Sequence, residues 1–426
     1  MDQKQASKIH YIHPKSDLHH PNNQDQISQI ISEVKPAIPV YFFRENAIRR
    51  ASQFFIQNFT SPQYQSSILY SVKSNPEDKV LKSLFNSGIR KFDVASIIEV
   101  KLVNRLFGSD VQMYFMHPIK SREAIAESYF EFGVRDFSLD SFDELDKILE
   151  VTNFAKDLNL HLRLSIPNSH SIMDLSGKFG ILPSESVGLI RKMRAVSKNL
   201  GICFHVGSQC MEPVQYRAAV NIVKEVLEKS EVKIDVLDVG GGFPANYPGM
   251  EPQNLTTYFD EIFDAIAQIN LEQDCEIWCE PGRALVAESQ SLLVRVEARK
   301  GNMLYINDGT YGGLFDAGMP DFIYPTLAYR INPNSSLCDK TMGFGFYGPT
   351  CDSIDEMKGP FYLPENIAEG DYIEIGQLGA YSKTIRTKFN GFYESLEFDV
   401  SDDSMVTMYD QDSTHQAHKK ISAEEQ

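Results

Sequence analysis

The run Ile68-Leu69-Tyr70-Ser71-Val72-Lys73-Ser74-Asn75-Pro76 passes from an apolar, β-favouring segment to a lysine and then to a helix-breaking Asn-Pro pair. It predicts a strand over residues 68–72 whose carboxyl end delivers Lys73 into a polar mouth. A primary amine there can form a Schiff base if its pKa is lowered, whereas a solvated loop residue is the ordinary fate of a lone lysine after a strand. The rest of the chain decides between the two.

Similar short β-type runs recur at 92–95, 113–116, 137–139, 160–165, 202–206, 236–239 and 276–279. Between them lie helical patterns at 77–85, 97–106, 121–132, 142–151, 184–197, 214–227 and 255–269, with Gly88, Gly108, Gly133 and Gly201 placed as helix stops. Eight strands alternating with helices predict an α/β fold built on a parallel (β/α)8 barrel of the TIM type. Chemistry in such barrels gathers at the carboxyl ends of the strands. Those ends carry Lys73, Asp93, His117, Asp140, Arg163, His205, Gly240-Gly241-Gly242 and Glu280. Titratable groups and a glycine loop in these positions favour the reactive reading of Lys73.

Past residue 286 the pattern turns β-rich, at 292–298, 303–307, 343–347, 372–375 and 392–400, which predicts a second, mainly antiparallel β-barrel or sandwich domain. The expected organisation is a polar lead over 1–36 with room to contribute to the β domain, a barrel over 37–285, a β domain over 286–400 and a polar tail over 401–426. Lead and tail are both expected to be loosely ordered. His10, His13, His19 and His20 lie in the lead without acidic or cysteine companions at ligand spacing, so no metal site is expected.

The 426 residues carry 41 Lys+Arg against 58 Asp+Glu, a net charge of -17. That balance opposes nucleic acid and anionic membrane, and favours a small-molecule or protein partner. Cys203, Cys210, Cys275, Cys279, Cys338 and Cys351 form no C-x-x-C pair and no dense framework, as expected for reduced thiols in the cytoplasm. A stretch of about 18 apolar residues is lacking, as is a signal pattern at the amino terminus, so neither membrane insertion nor secretion is expected.

Three motifs carry chemistry. Asp238-Val239-Gly240-Gly241-Gly242-Phe243-Pro244 follows a strand, where glycine lets backbone N–H groups approach an anion such as a phosphate. Glu280-Pro281-Gly282-Arg283 closes the eighth strand: Arg283 suits a phosphate and Glu280 a protonated ring nitrogen, against the plainer reading of a structural Glu–Arg pair. His205-Val206-Gly207-Ser208 offers an imidazole to stack on an aromatic cofactor and a hydroxyl for its phosphate, with a packed core histidine as the alternative. In the β domain, Tyr347-Gly348-Pro349-Thr350-Cys351-Asp352-Ser353-Ile354-Asp355 sets a thiol beside a carboxylate, a weak signal alone.

Taken together, over residues 39–400, these motifs resemble the fold type III pyridoxal phosphate decarboxylases, the family of ornithine, lysine, diaminopimelate and biosynthetic arginine decarboxylases. The resemblance implies pyridoxal 5'-phosphate held by Lys73, with Asp93 and Glu99 around that lysine, Arg163 beneath the cofactor and His205 stacked on its ring. It implies a phosphate cradle of Ser208, Gly240, Gly241, Gly242, Arg283 and Tyr381, and Glu280 at the pyridinium nitrogen. Cys351 and Asp352 match a loop that a second subunit inserts, which implies a homodimer with shared sites. Phe389 matches an aromatic residue near the substrate.

The implied reaction is decarboxylation of a basic L-amino acid, ornithine or lysine, to putrescine or cadaverine, with Lys73, Cys351, His205 and Glu280 as the catalytic groups. Asp after Cys351 looks like the ornithine/lysine branch, since diaminopimelate enzymes usually place Glu there. In eukaryotic-type ornithine decarboxylases a second acid follows a Tyr-Gly matching Tyr311-Gly312, but here the aligned position is Pro320. Asp316 and Asp321 are the candidate replacements, with Tyr311 beside them. A larger substrate (diaminopimelate, carboxynorspermidine or a siderophore precursor) and a non-catalytic regulatory homologue are the alternative readings.

Overall fold

In the computed structural model the described residues are 23–166, 171–173, 177–332 and 334–409. His10, His13, His19 and His20 fall outside them. Eight parallel strands close into a barrel: Ser66–Ser71, Lys91–Val94, Gln112–Phe115, Asp136–Leu139, Asn159–Arg163, Asn199–Cys203, Val236–Asp238 and Glu276–Cys279. Each pairs in parallel with its neighbours, and Glu276–Cys279 returns to Ser66–Ser71 to complete the ring. All eight overlap the expected runs, the sixth beginning three residues early and ending at Cys203 rather than Val206. Short stretches rich in Phe, Leu, Ile and Val are what a strand buried on both faces requires.

The helices follow from capping as much as from periodicity. Ser96, Ser121 and Ser141 each accept a hydrogen bond from the backbone N–H three residues on, opening helices Ile97–Phe107, Arg122–Phe130 and Phe142–Val151. Gly108 ends the first of these at φ 52°. Gly201 does not end a helix; it lies inside strand Asn199–Cys203, opposite His161. A side chain there would collide with the His161 imidazole, so this glycine serves close packing between neighbouring strands.

The second domain is an eight-stranded, mainly antiparallel sheet centred on the long strand Gln290–Lys300. The expected strands at 292–298, 303–307, 343–347 and 372–375 are present. Of the run at 392–400 only Leu396–Asp399 is a strand, because Asn390 and Gly391 adopt positive φ and break the chain just before it. Thr326–Tyr329 and Glu356–Pro364 are additional strands. So is Val40–Phe43, which precedes the barrel in sequence yet pairs antiparallel with Gln290–Leu293 and parallel with Leu396–Asp399.

Both flanking segments are more ordered than expected wherever they are described. Helix Asn23–Val34 buries Ile27 and Ile31 against Val40, Phe42, Leu293 and Tyr372. After the last strand, Asp402 reaches Arg44 at 2.7 Å, and Tyr409 is buried with its hydroxyl donating to the Ala284 carbonyl at 2.6 Å. Among the described residues no helix is long and apolar enough to cross a membrane, and no group of His, Cys, Asp and Glu is arranged to hold a metal ion.

Candidate active site

Strand Ser66–Ser71 ends one step before the sequence predicts, and Lys73 stands on the short 3-10 turn Val72–Ser74 that follows. Its side chain is 44% exposed, and Nζ lies 3.1 Å from Asp93 Oδ2 and 3.4 Å from Ser71 Oγ. Ser71 Oγ in turn donates to Asp93 Oδ2 at 2.6 Å, which fixes the carboxylate. Desolvation within the barrel mouth would depress the ammonium, but Asp93, Tyr381 and Glu280 overcome it and hold Lys73 above the usual lysine range. Ser71 escapes a sequence reading because serine at a strand end carries no signal; only its alignment opposite Asp93 on the next strand identifies it.

Glu280, after the eighth strand, is buried, and its Oε1 has no hydrogen-bond partner. Asp238 beside it accepts from Gly240 N at 2.8 Å through Oδ1 and faces the Glu280 carboxyl as a side-chain hydrogen-bond partner. Burial, then Asp238 and Asp93, drive the Glu280 carboxyl far above its ordinary range. His205 Nδ1 accepts from Gly207 N at 2.9 Å, which makes Nδ1 the unprotonated nitrogen. Burial, with the Arg163 and Lys73 charges, pushes its pKa well down, so the ring is a neutral imidazole.

Gly240 and Gly242 have φ of 69° and 104°, a region that favours glycine. A side chain on Gly240 would strike the Phe204 carbonyl, and one on Gly241 would sit 2.7 Å from the Glu280 carbonyl oxygen and 3.1 Å from His205 Nε2. Only bare backbone fits this floor. Arg283 is buried above it, with Nη1 donating to Tyr247 Oη at 3.0 Å and Nη2 to Asp316 Oδ2 at 3.0 Å and Ser208 Oγ at 3.4 Å. The Tyr381 ring lies 4.9 Å from its guanidinium carbon. Tyr381 N donates to Ser74 O at 2.9 Å and Asn75 Nδ2 to Gly379 O at 2.8 Å, so the lysine turn is bolted to the β domain.

The other predicted groups, three at strand ends and Glu99 on helix Ile97–Phe107, have their own contacts. Half-buried Arg163 acts through its charge on His205 and Glu280. Glu99 Oε2 accepts from Ala95 N at 2.6 Å, and burial raises its carboxyl. His117 packs edge-on to Phe179 at 5.0 Å, and Asp140 Oδ2 accepts from Gly180 N at 2.8 Å.

A second cluster forms on the β domain. Tyr311 Oη donates to Asp352 Oδ2 at 2.7 Å, the Tyr311 and Phe389 rings are 4.9 Å apart, and Cys351 N donates to Asn390 Oδ1 at 3.0 Å. Cys351 is exposed. Among the described residues, no hydrogen bond, ion pair or ring contact joins Cys351, Asp352, Tyr311 or Phe389 to Lys73, Glu280 or Arg283. Asp316 and Asp321 do not join this cluster either: Asp316 is buried on Arg283, and Asp321 is an exposed partner of Lys358 at 3.3 Å.

Residues 45–287 match the family model of the pyridoxal-dependent decarboxylase, pyridoxal binding domain. The chain belongs to the fold type III pyridoxal-dependent decarboxylases. Lysine/ornithine decarboxylase of Selenomonas ruminantium is 30% identical over 339 residues, covering 77% of this chain and 82% of that protein. Antizyme inhibitor 2 of Xenopus laevis is 31% identical over 359 residues, covering 76% of this chain and 74% of that protein. The structure of lysine/ornithine decarboxylase from Vibrio vulnificus, complexed with cadaverine, superposes with a TM-score of 0.74 at 25% identity, covering 89% of this chain and 99% of that one.

The decarboxylase cofactor, pyridoxal phosphate, fits the barrel mouth. A buried carboxyl oxygen without a partner on Glu280 suits a ring N–H. The glycine floor and Arg283, whose Nε has no partner, suit a phosphate, and the Lys73 amine opens into the same mouth.

Proposed function

We propose that this protein decarboxylates a basic L-amino acid, ornithine or lysine, releasing putrescine or cadaverine for polyamine synthesis. The observation that carries the reading is the Cys351-Asp352 pair, its carboxylate fixed by Tyr311, on a chain whose barrel mouth is built for pyridoxal phosphate. Relatives named lysine/ornithine and ornithine decarboxylase support it.

In this reading each residue acts through what it can hold or move. Bound pyridoxal phosphate supplies the electron sink for the pair left behind as carbon dioxide departs. Lys73 Nζ would hold the cofactor covalently, with Asp93, 3.1 Å away, positioning the amine. Glu280 would hold a proton for the cofactor's ring nitrogen. Neutral His205 would pack on the ring without adding charge. Arg283, Ser208, the Gly240–Gly242 backbone and Tyr381 would hold the phosphate, and Arg163 would help hold the ring. Cys351 Sγ delivers a proton to the substrate α-carbon, and Asp352 holds its distal ammonium. Exposed Cys351 on the β domain favours its insertion into the site of a second subunit, so we read the protein as a homodimer with shared sites, working in the cytoplasm without nucleic acid or membrane.

The test is release of labelled carbon dioxide from a panel of ornithine, lysine, arginine, diaminopimelate and carboxynorspermidine, alongside the visible absorbance of the lysine-bound cofactor. Lys73→Ala should lose both signals. Turnover confined to a bulky substrate would overturn the diamine assignment. A regulatory role has one observation behind it, the similarity to antizyme inhibitor 2. Partner binding without carbon dioxide release from any substrate would establish that role instead.

A further inference from the structure

Asp316 is one of the two acids that could replace the missing second substrate contact, yet its carboxylate is already committed. It lies 3.0 Å from Arg283 Nη2, with both side chains 3% exposed. A buried guanidinium needs a counter-charge, so the plain reading is that Asp316 merely neutralises Arg283. The surrounding geometry asks for more. Tyr247 takes Nη1, Ser208 shares Nη2, and the rings of Tyr381 and Phe322 stand 4.9 and 5.2 Å from the guanidinium carbon. The fork is therefore clamped in one orientation, with Nε left without a partner.

Asp316 is itself held firmly. It lies on the short helical turn Phe315–Gly318, and its backbone carbonyl accepts from Phe322 N at 2.8 Å. Gly318 packs so closely on Thr310 that any side chain there would collide. Thr310 N donates to Asp355 Oδ1 at 2.7 Å, and Asp355 Oδ2 accepts from Thr350 N at 3.0 Å and Thr350 Oγ1 at 2.7 Å, one residue before Cys351. The carboxylate on Arg283 thus stands on a base continuous with the Cys351-Asp352 loop.

We propose that Asp316 is a positioning residue: it aims Arg283 at the phosphate of the cofactor and makes no contact with substrate. The inference rests on Arg283 being the phosphate anchor. Aiming and neutralising differ in sign. If charge alone mattered, removing a carboxylate beside the anchor would tighten a phosphate; if aim matters, removal weakens it.

The experiment titrates cofactor-free protein with pyridoxal phosphate and, separately, with pyridoxal, which lacks the phosphate, reading visible absorbance. Asp316→Ala should weaken pyridoxal phosphate by about tenfold, the scale of one charge-assisted hydrogen bond, and leave pyridoxal unchanged. Asp316→Asn, which keeps an acceptor oxygen and guards against a misfolded alanine variant, should show the same selective loss, smaller in size. Unchanged or tightened binding of pyridoxal phosphate in both variants would overturn the proposal, as would equal weakening of the two ligands. Arg283→Ala separates the premise from the inference. If it leaves the preference for pyridoxal phosphate over pyridoxal intact, the phosphate anchor lies elsewhere; if it abolishes that preference while the Asp316 variants do not, only the aiming role fails.

Discussion

Tyr311 donates its phenolic hydroxyl to Asp352 Oδ2 at 2.7 Å, tying a β-domain tyrosine to the carboxylate that follows Cys351. This bond, with the Ile354 N–H on Oδ1 at 3.1 Å, holds the Asp352 carboxyl below its usual range, so the side chain is an anion at neutral pH. Asp352→Asn should therefore raise KM for a basic amino acid by about tenfold or more, with cofactor absorbance unchanged. Tyr311→Phe keeps the ring on Phe389 and removes only the donor, so its KM effect should be smaller. Steady-state kinetics beside a cofactor titration checks both; a cofactor defect with KM intact would place Asp352 in the wrong site.

The Lys73–Asp93 pair sets the pH at which the amine becomes a nucleophile. Desolvation lowers the Lys73 pKa and Asp93 raises it, and the raising wins. Asp93→Asn removes the raising charge while leaving an oxygen for Ser71 to meet, so the Lys73 pKa must fall. The rate at which cofactor-free protein captures pyridoxal phosphate depends on the neutral amine. Its pH profile should move toward acid by about one unit in Asp93→Asn, the usual size of one neighbouring charge. A stopped-flow absorbance series across pH reads it directly, and a profile that moves toward base would contradict the assignment.

Gly240 combines a positive φ with a position where any side chain meets the Phe204 carbonyl, while its own carbonyl accepts from Glu280 N at 2.8 Å. Alanine pays for both the left-handed backbone and the collision. Gly240→Ala should cost about 2 kcal/mol or more and displace the Glu280 backbone, weakening pyridoxal phosphate as well. Gly249, also at positive φ but with open space around it, is the control. Gly249→Ala should cost only about 1 kcal/mol and leave cofactor binding untouched. Denaturant melts and cofactor titrations of the two variants make the comparison.

The barrel is legible because its strands carry short, largely apolar cores and its candidate site residues sit at or just past strand ends, both of which are local patterns. Lys73, His205, the glycine loop and Glu280 all followed from that rule. Non-local pairing was not legible. Nothing within Val-Tyr-Phe-Phe at Val40–Phe43 announces that its partners are Gln290–Leu293 and Leu396–Asp399. Gly201 looked like a helix stop because a helix pattern precedes it; the imidazole that requires it belongs to a neighbouring strand. Asp316 is a candidate substrate acid by position, and its pairing with Arg283 could not be read because Arg283 lies in the other domain. Burial of an ion pair leaves no trace in composition or periodicity.

Glu288 gives the described end of the chain a dependence on pH. It is buried, and its two oxygens accept from Met408 N at 2.8 Å and Ser404 Oγ at 3.2 Å, fastening the segment that buries Tyr409 beside Ala284. Burial, opposed by those hydrogen bonds and by Arg50, moves its pKa up from 4.5 to about 7. Between these values the folded chain keeps a proton that the unfolded chain has released, so stability falls as pH rises through that window. The full difference is on the order of 3 kcal/mol. Glu288→Gln cannot ionise, and although it gives up one acceptor oxygen it should flatten the decline. Melting temperatures at pH 5 and pH 8 should differ less in the variant than in the parent protein. An equal decline in both would mean that Glu288 is already ionised at pH 5 and that the segment is held by Tyr409 and Asp402 instead.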